Sequence, residues 1–274
     1  MIHRHMPFTV TMRGLINRGT NCSIISVVQC LYETRELRDL IRRVEARDYG
    51  GTTNGGANNA VAPTLIREMS AYGPWPCDPT RLMNSISAYG GVSFEVQEDA
   101  DMVFKCIINA LADRRGLQEY VVKRGNSDKA TCKCHCETCH VRTRIEITSD
   151  VLSLPPIVCV RIARVRNLGG EAACLAKMEK HFAFPETLGL KHLVKEPEDA
   201  ALYYELYAVV AHRGTHHCGH YVAYTRADNG WYFTDDAYVS LCSWEDVKMT
   251  YGSDSNDNQG VAYVLMYCRI RKDK

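Results

Sequence analysis

The chain has 274 residues, 46% of them hydrophobic, which is enough to bury a sizeable core in one large domain or two intimate lobes. Its 33 basic and 32 acidic residues leave a net charge of +1, so we expect no nucleic-acid partner. The sequence contains neither an apolar run of about 18 residues nor the start of a signal peptide, and we expect no membrane insertion. Thirteen cysteines without a secretion signal indicate free thiols in a reducing compartment, which we expect to be the cytosol, with the nucleus as a second candidate.

The first half of the chain has the three- and four-residue apolar spacing of amphipathic helices. Glycines and turn-favouring residues run into Cys22, and a continuous apolar pattern follows, so the first helix is predicted to begin at that residue. Four more helices are predicted from the same spacing and from their start signals, at Thr34–Ala46, Pro63–Tyr72, Asp78–Ala88 and Glu98–Arg115.

From Tyr120 onward the apolar period changes to two, which is typical of half-buried strands. The pair Asn229-Gly230 is a hairpin signal between two of these strands. Because helices precede strands, the predicted class is α+β, with a helical lobe packed on an antiparallel sheet lobe. The predicted strands are Val141–Ile147, Ile157–Arg166, Tyr203–Arg213, Gly219–Arg226, Trp231–Phe233 and Val261–Ile270.

Cys22 is the candidate nucleophile. At the first turn of a helix its sulfur is close to unpaired N–H groups and to the positive end of the helix dipole, both of which favour the reactive thiolate. Most cysteines are inert core residues, but Asn17 lies five residues upstream and offers an amide donor for a substrate carbonyl oxygen. A histidine and paired carboxylates lie far downstream, so a cysteine protease is the leading hypothesis.

Four histidines lie close together, and the general base must be held rigidly near the thiol. His216 and His217 fall in a predicted loop. His220 begins a strand beside Gly219, whose missing side chain allows another backbone or a substrate to approach. We therefore choose His220 as the base, with His217 as the alternative.

Two adjacent carboxylates, Asp235 and Asp236, follow the hairpin turn and are brought back toward His220 by it. Either one is a candidate to orient the imidazole. Asn17 and the backbone N–H of Cys22 are the candidate oxyanion-hole donors. Asn17 is also interpreted as a turn residue, and both roles can hold at once.

The segment Gly14-Leu-x-Asn17-x-Gly19-x-x-Cys22 closely resembles the cysteine box of the ubiquitin-specific proteases. Gly219-His220-Tyr221 followed by Asp235-Asp236 resembles the histidine box of the same family, and Gln97-Glu-Asp-Ala100 is similar to its Gln-Gln-Asp-Ala segment. The resemblance covers about residues 14–267. In this sequence Arg18, Thr20-Asn21, Ser23 and Ile25 depart from the usual cysteine box.

The resemblance implies a papain-like fold and a single catalytic domain over residues 1–274. Residues 14–119 would form the helical thumb-like lobe with the nucleophile. Residues 120–150 would form reduced fingers, and residues 151–274 the palm-like sheet lobe with the histidine. The family's orienting residue falls on Asp235, with Asp236 as the alternative. The implied catalytic set is Cys22, His220, Asp235 and Asn17.

Four cysteines and two histidines between Cys132 and His140 suggest zinc, but a structural zinc site usually takes two separated ligand pairs. In the family the pairs come from two arms of the fingers. Cys136-x-x-Cys139 resembles one arm, and no second Cys-x-x-Cys follows before Leu154. We therefore expect a metal-free turn holding Cys132, Cys134, Cys136 and Cys139, and no metal or other cofactor.

The implied activity is a thiol isopeptidase that removes a ubiquitin-like modifier from lysines of conjugated proteins. Residues 243–252 resemble most the interferon-induced family member. That likeness implies the two-lobed, interferon-stimulated modifier as substrate, an interferon receptor complex as a partner and a dampening of the interferon response. The alternatives are a general deubiquitinase and a catalytically weak scaffold that binds the modifier or a receptor. We expect a monomer.

Overall fold

The computed structural model describes residues 12–39, 61, 64–65, 76–93, 95–112, 130–135, 140–147, 154–167, 175–194, 202–216, 218–253 and 260–270. Three predicted features lie wholly or partly outside the described residues. Only residues 64–65 of the predicted helix Pro63–Tyr72 are described, and the helix predicted from Thr34 is described only as far as residue 39. The alternative base His217 is not described.

The described helices include the one that carries the candidate nucleophile. Helix α1 begins at Cys22, as predicted, and every residue from there to Leu31 is buried, including Ser23, Ser26 and Gln29. It is buried all round because it packs between α3 and the sheet, whereas the sequence predicted a single apolar face. The helices whose bounds the structure describes are α1 (Cys22–Tyr32), α2 (Thr80–Tyr89), α3 (Ala100–Ala112) and α4 (Trp244–Lys248).

The strands form one large sheet and two separate two-stranded hairpins. The first hairpin joins β1 (Ala130–His135) to β2 (Arg142–Ile147), and the second joins β4 (Val165–Asn167) to β5 (Leu175–Lys177). The large sheet contains β3 (Ile157–Arg161), β6 (Thr187–Gly189), β7 (Tyr203–Gly214), β8 (Gly219–Ala227), β9 (Gly230–Asp235), β10 (Tyr238–Cys242) and β11 (Val261–Arg269).

The order across the large sheet is β10-β9-β8-β7-β11-β3, with β6 added to β7, and all pairs are antiparallel. Successive residues of β8 point to opposite faces, so Tyr221 and Ala223 join one core and Val222 and Tyr224 join the other. The first core also contains α1, α2 and α3, so it is where the helical lobe packs on the sheet. The α+β, papain-like class predicted from the sequence is confirmed.

The sequence predicted one strand at Ile157–Arg166, but the structure interrupts it after Arg161. The buried Arg164 lies in the interruption, and its guanidinium donates to the carbonyl oxygens of Ala262 and Tyr251, both at 3.1 Å. A buried guanidinium needs hydrogen-bond acceptors for its N–H groups. The backbone leaves the sheet at the position where these carbonyl oxygens accept from Arg164. Strands β1, β5, β6 and β10 were not predicted.

No described helix has the length and the apolar character needed to cross a membrane. The domain limits drawn from the sequence stay a prediction.

Candidate active site

Helix α1 presents Cys22 in its first turn, at the place where the helical lobe meets the sheet. The preceding Asn21 makes no side-chain cap, and the Cys22 residue is only 4% exposed. Because α1 packs directly on β8, the sulfur lies beside the first residues of that strand. The backbone N–H of Tyr221 and the side chain of Gln97 both hydrogen-bond to it.

His220 is the second residue of β8, and Asp235 is the last residue of β9, the next strand of the hairpin. The hairpin brings them together, and Nε2 of His220 lies 2.6 Å from Oδ1 of Asp235. The other ring nitrogen is left for the thiol, and His220 hydrogen-bonds to Cys22. Cys22, His220 and Asp235 therefore form one hydrogen-bonded chain.

The electrostatics of the hydrogen-bonded residues Cys22, His220 and Asp235 favour a charged pair, with Cys22 as thiolate and His220 as imidazolium. The hydrogen bond to Cys22 is the largest influence on His220, and together with Asp235 it raises the imidazole pKa to about 9 despite partial burial. Burial by itself would raise the pKa of Cys22. The hydrogen bonds from His220 and from the Tyr221 backbone, the charge of His220 and the Gln97 amide outweigh burial and lower it. Both shifts favour thiolate and imidazolium.

A carboxylate oxygen of Asp236 lies within 4.8 Å of a ring nitrogen of His220, but Asp236 hydrogen-bonds to the cysteine box. Its Oδ2 accepts a hydrogen bond of 3.0 Å from Nδ2 of Asn17. The residue has a positive φ of 52°, which turns the chain out of β9. Burial raises the pKa of the Asp236 carboxyl, while the bond from Asn17 opposes that shift. The two aspartates thus have different partners.

Asn17 lies in the tight turn before the nucleophile. Its side-chain oxygen accepts the backbone N–H groups of Gly19 at 3.0 Å and Asn21 at 3.3 Å. The turn role weighed from the sequence is therefore present in the structure. Its amide nitrogen faces Asp236, and one N–H of that nitrogen is engaged there.

The side chains of Arg213 and His212 border the site. Arg213 lies opposite His220 in the β7–β8 register, with its guanidinium 3.9 Å from Oδ2 of Asp235 and over the ring of Phe233. His212 is buried, and burial next to Lys177 lowers its pKa to about 4, so it stays neutral. Arg213 was not predicted from the sequence, because a lone arginine in a strand pattern gives no signal of a contact across the hairpin.

The structure describes only part of the cysteine cluster. Cys132 and Cys134 lie on β1, and the positions opposite them on β2 are Ile145 and Thr143. Cys136 and Cys139 lie outside the described residues. Cys132 and Cys134 thus lie in a strand and not in the predicted turn, and the expectation that the cluster holds no metal stays a prediction.

The helical lobe, the antiparallel sheet and the thiol–imidazole–carboxylate chain between them define the class of papain-like cysteine peptidase folds. The sequence profile of one family, ubiquitin carboxyl-terminal hydrolase, matches residues 13–267. The chain belongs to that family.

Curated relatives match about half of the chain. Human Ubl carboxyl-terminal hydrolase 18 is 31% identical over 149 residues, which are 50% of this chain and 39% of the human protein. Mouse ubiquitin carboxyl-terminal hydrolase 17-like protein D is 33% identical over 135 residues, 48% of this chain and 22% of the mouse protein. The matched part therefore spans well under half the length of these relatives.

Solved structures share the fold. A SAGA DUB module bound to ubiquitin aldehyde superimposes with a TM-score of 0.69 at 18% identity, covering 100% of this chain and 72% of the other. A SAGA DUB module bound to monoubiquitin gives a TM-score of 0.65 at 18% identity, covering 95% and 70%. At this identity the likeness supports the fold alone.

Proposed function

We propose that this chain is a thiol isopeptidase of the deubiquitinase type, which cleaves a ubiquitin-like modifier from lysines of conjugated proteins. The observation that carries the proposal is the hydrogen-bonded chain from Cys22 through His220 to Asp235. Membership of the ubiquitin carboxyl-terminal hydrolase family supports the substrate class.

In the proposed reaction the Cys22 thiolate attacks the carbonyl carbon of the isopeptide bond, and the carbonyl oxygen becomes an oxyanion. The backbone N–H of Cys22 and the amide of Asn17 are the proposed donors to that oxyanion. When the C–N bond breaks, the imidazolium of His220 gives its proton to the departing lysine amine. A thioester and a neutral imidazole remain.

Water completes the cycle. His220 takes one proton from the attacking water, the C–O bond forms and the thioester C–S bond breaks, which restores the thiolate–imidazolium pair. The modifier leaves as a carboxylic acid, which gives its proton to the solvent. Asp235 holds the imidazole in one orientation and stabilises its charged form in both halves of the reaction.

The finer proposal is that the preferred modifier is the two-lobed, interferon-stimulated protein. It is supported by the likeness to Ubl carboxyl-terminal hydrolase 18 of human and mouse, at 31% and 30% identity over about half of this chain. An interferon receptor complex as a partner, a role in dampening the interferon response, a monomeric state and a location in the cytosol and nucleus belong to the same proposal.

The test uses C-terminal activity probes of ubiquitin and of ubiquitin-like modifiers, with mass spectrometry to locate the adduct. We expect capture at Cys22, and loss of turnover in Cys22→Ala by a factor on the order of 10⁶. Cys218→Ala is the matched control, because Cys218 is exposed and lies two residues before His220. Capture that disappears in the control instead would contradict the assignment of the nucleophile.

The same panel tests the choice of modifier. We expect kcat/KM for the two-lobed modifier to exceed that for ubiquitin by at least about tenfold, which corresponds to about 1.4 kcal/mol. Equal values would favour a general deubiquitinase. A wild-type protein that binds modifiers but reacts with no probe would favour the scaffold alternative.

A further inference from the structure

The side chain of Gln97 lies between the two elements that carry the candidate nucleophile and base. It precedes α3, whose first turn is held by Asp99. Oδ1 of Asp99 accepts the backbone N–H of Asp101 at 2.8 Å, and its Oδ2 accepts the hydroxyl of Tyr263 on β11. This anchoring ties the segment that carries Gln97 to the sheet.

The Gln97 amide binds both backbone groups of Gly219. Its Oε1 accepts the Gly219 N–H at 3.3 Å, and its Nε2 donates to the Gly219 carbonyl oxygen. Gly219 is packed so closely that a Cβ there would overlap the carbonyl oxygen of Arg213 and the ring of His212. The residue immediately before His220 is therefore fixed from two sides, by the neighbouring strand and by Gln97.

The same amide nitrogen also reaches the sulfur. Nε2 of Gln97 lies 3.7 Å from Sγ of Cys22, within hydrogen-bonding range for a sulfur acceptor. One side chain thus connects the N-terminus of α1 with the start of β8, although these two segments are almost two hundred residues apart in the sequence.

From this geometry we infer that Gln97 is a further member of the catalytic machinery, which stabilises the Cys22 thiolate and positions His220 through Gly219. The inference deepens the proposed function and rests on it. An uncharged donor suits this place, because it supports the negative sulfur without competing for the proton that His220 must carry. A carboxylate at the same position would repel the thiolate.

The inference also assigns separate tasks to the two side-chain amides near Cys22. Asn17 bonds to Asp236 and to the turn, whereas Gln97 bonds to the sulfur and to the strand that carries the base. The hydrogen bond from Gln97 is among the influences that lower the pKa of Cys22, which agrees with this division.

The test measures the rate at which iodoacetamide, a small neutral reagent, alkylates Cys22 as a function of pH in the full chain. In Gln97→Ala we expect the apparent pKa of Cys22 to rise by at least about 0.5 unit, and in Gln97→Glu to rise further. With a fluorogenic modifier substrate we expect kcat to fall at least about tenfold in both variants, with KM nearly unchanged.

Glu98→Ala is the matched control. Glu98 lies in the same segment and bonds to the Ser93 backbone N–H at 2.9 Å, so its loss perturbs the segment without removing the Gln97 contacts. We expect the alkylation profile of this variant to match that of the wild type. Gln97→Met keeps the length of the side chain without its donor, and it serves if Gln97→Ala lowers the melting temperature.

An unchanged Cys22 profile in folded Gln97→Met and Gln97→Glu would overturn the inference. So would a shift of equal size in Glu98→Ala. Failure of the proposed function would look different, since the wild type would then hydrolyse no modifier while alkylation still reported on Gln97.

Discussion

Asn17 and Asp236 are joined by a 3.0 Å hydrogen bond between Nδ2 and Oδ2, which links the turn before the nucleophile to the turn after the orienting carboxylate. A backbone bond of 2.9 Å from the Leu15 N–H to the Asp236 carbonyl oxygen reinforces the same junction. Asp236 therefore hydrogen-bonds to Asn17, while Asp235 hydrogen-bonds to His220. Neighbouring carboxylates that look interchangeable in the sequence have different hydrogen-bond partners in the structure.

The first prediction concerns this pair. Asn17→Ala removes the proposed oxyanion donor, and we expect kcat to fall roughly 10²–10³-fold with little change in KM. If Asp236 acts through Asn17, the variant Asp236→Ala adds little once Asn17 is already alanine. A double-mutant cycle on kcat measures this coupling, and additive losses would show that the two side chains act independently.

The second prediction separates the two aspartates. Asp235→Ala leaves the imidazole without its orienting partner, so we expect kcat to fall by up to about 10⁴. Asp236→Ala leaves the bond between His220 and Asp235 intact, so its loss is distinctly smaller. Steady-state kinetics on a fluorogenic modifier substrate compare the two, and a larger loss in the Asp236 variant would reverse the assignment.

The third prediction concerns pH. The pKa of Cys22 is lowered and that of His220 is raised to about 9, so the thiolate–imidazolium pair exists between the two values. We expect kcat/KM to rise with pH as the pair forms and to fall near pH 9 as His220 loses its proton. The two limbs belong to the coupled pair and to neither residue alone.

Cys22→Ala provides the check on this pairing. The hydrogen bond to Cys22 is the largest cause of the raised His220 pKa, so that pKa falls when the sulfur is removed. Because the folded pKa exceeds the usual value of about 6.5, the stabilisation from His220 is full below that pH and is lost as the pH rises through 9. NMR titration of the imidazole in wild type and variant measures the shift, and an unchanged value would contradict the prediction.

Periodicity and turn chemistry predicted the elements that carry the site. The helix start at Cys22 followed from glycines running into a continuous apolar pattern, and the hairpin that pairs His220 with Asp235 followed from Asn229-Gly230. These features are local, so a few neighbouring residues determine them. Strand β8 begins at Gly219, as expected from its alternation.

Contacts between distant segments could not be predicted in the same way. Arg164, at the interruption, donates to the carbonyl oxygen of Ala262, 98 residues away, and the bond from Gln97 to Cys22 spans 75 residues. Strand β10 was missed because it is an edge strand without a clean alternation of apolar and polar residues. Two of its apolar side chains, Tyr238 and Leu241, are exposed to solvent. Tertiary packing determines contacts between distant segments and the ends of strands, and local residue patterns do not predict it.

The fourth prediction concerns zinc. The backbone register of β1 and β2 pairs Cys132 and Cys134 with Ile145 and Thr143, residue types that do not ligate zinc, and no second Cys-x-x-Cys follows before Leu154. We therefore expect no stoichiometric zinc in purified protein and no change in melting temperature with a chelator. Elemental analysis and thermal unfolding with and without chelator make the measurement. One tightly held zinc per chain, lost together with the fold on chelation, would show the prediction to be wrong.

The last prediction compares the two glycines of the cysteine box. Gly14 is buried, and a Cβ there would overlap the backbone carbonyl of Ala237 in the β9–β10 turn, where the strands must move apart to make room. Backbone cannot yield as a flexible side chain can, so we expect Gly14→Ala to destabilise the fold by about 1–3 kcal/mol and to slow the labelling of Cys22.

Gly19 is the matched control. Its nearest neighbour to an added Cβ is Nδ2 of Asn21 at 3.7 Å, an ordinary contact, so Gly19→Ala leaves both quantities nearly unchanged. Thermal unfolding and the rate of probe capture test the pair together. Equal effects of the two substitutions would mean that the close approach at Gly14 does not hold the nucleophile turn against the sheet.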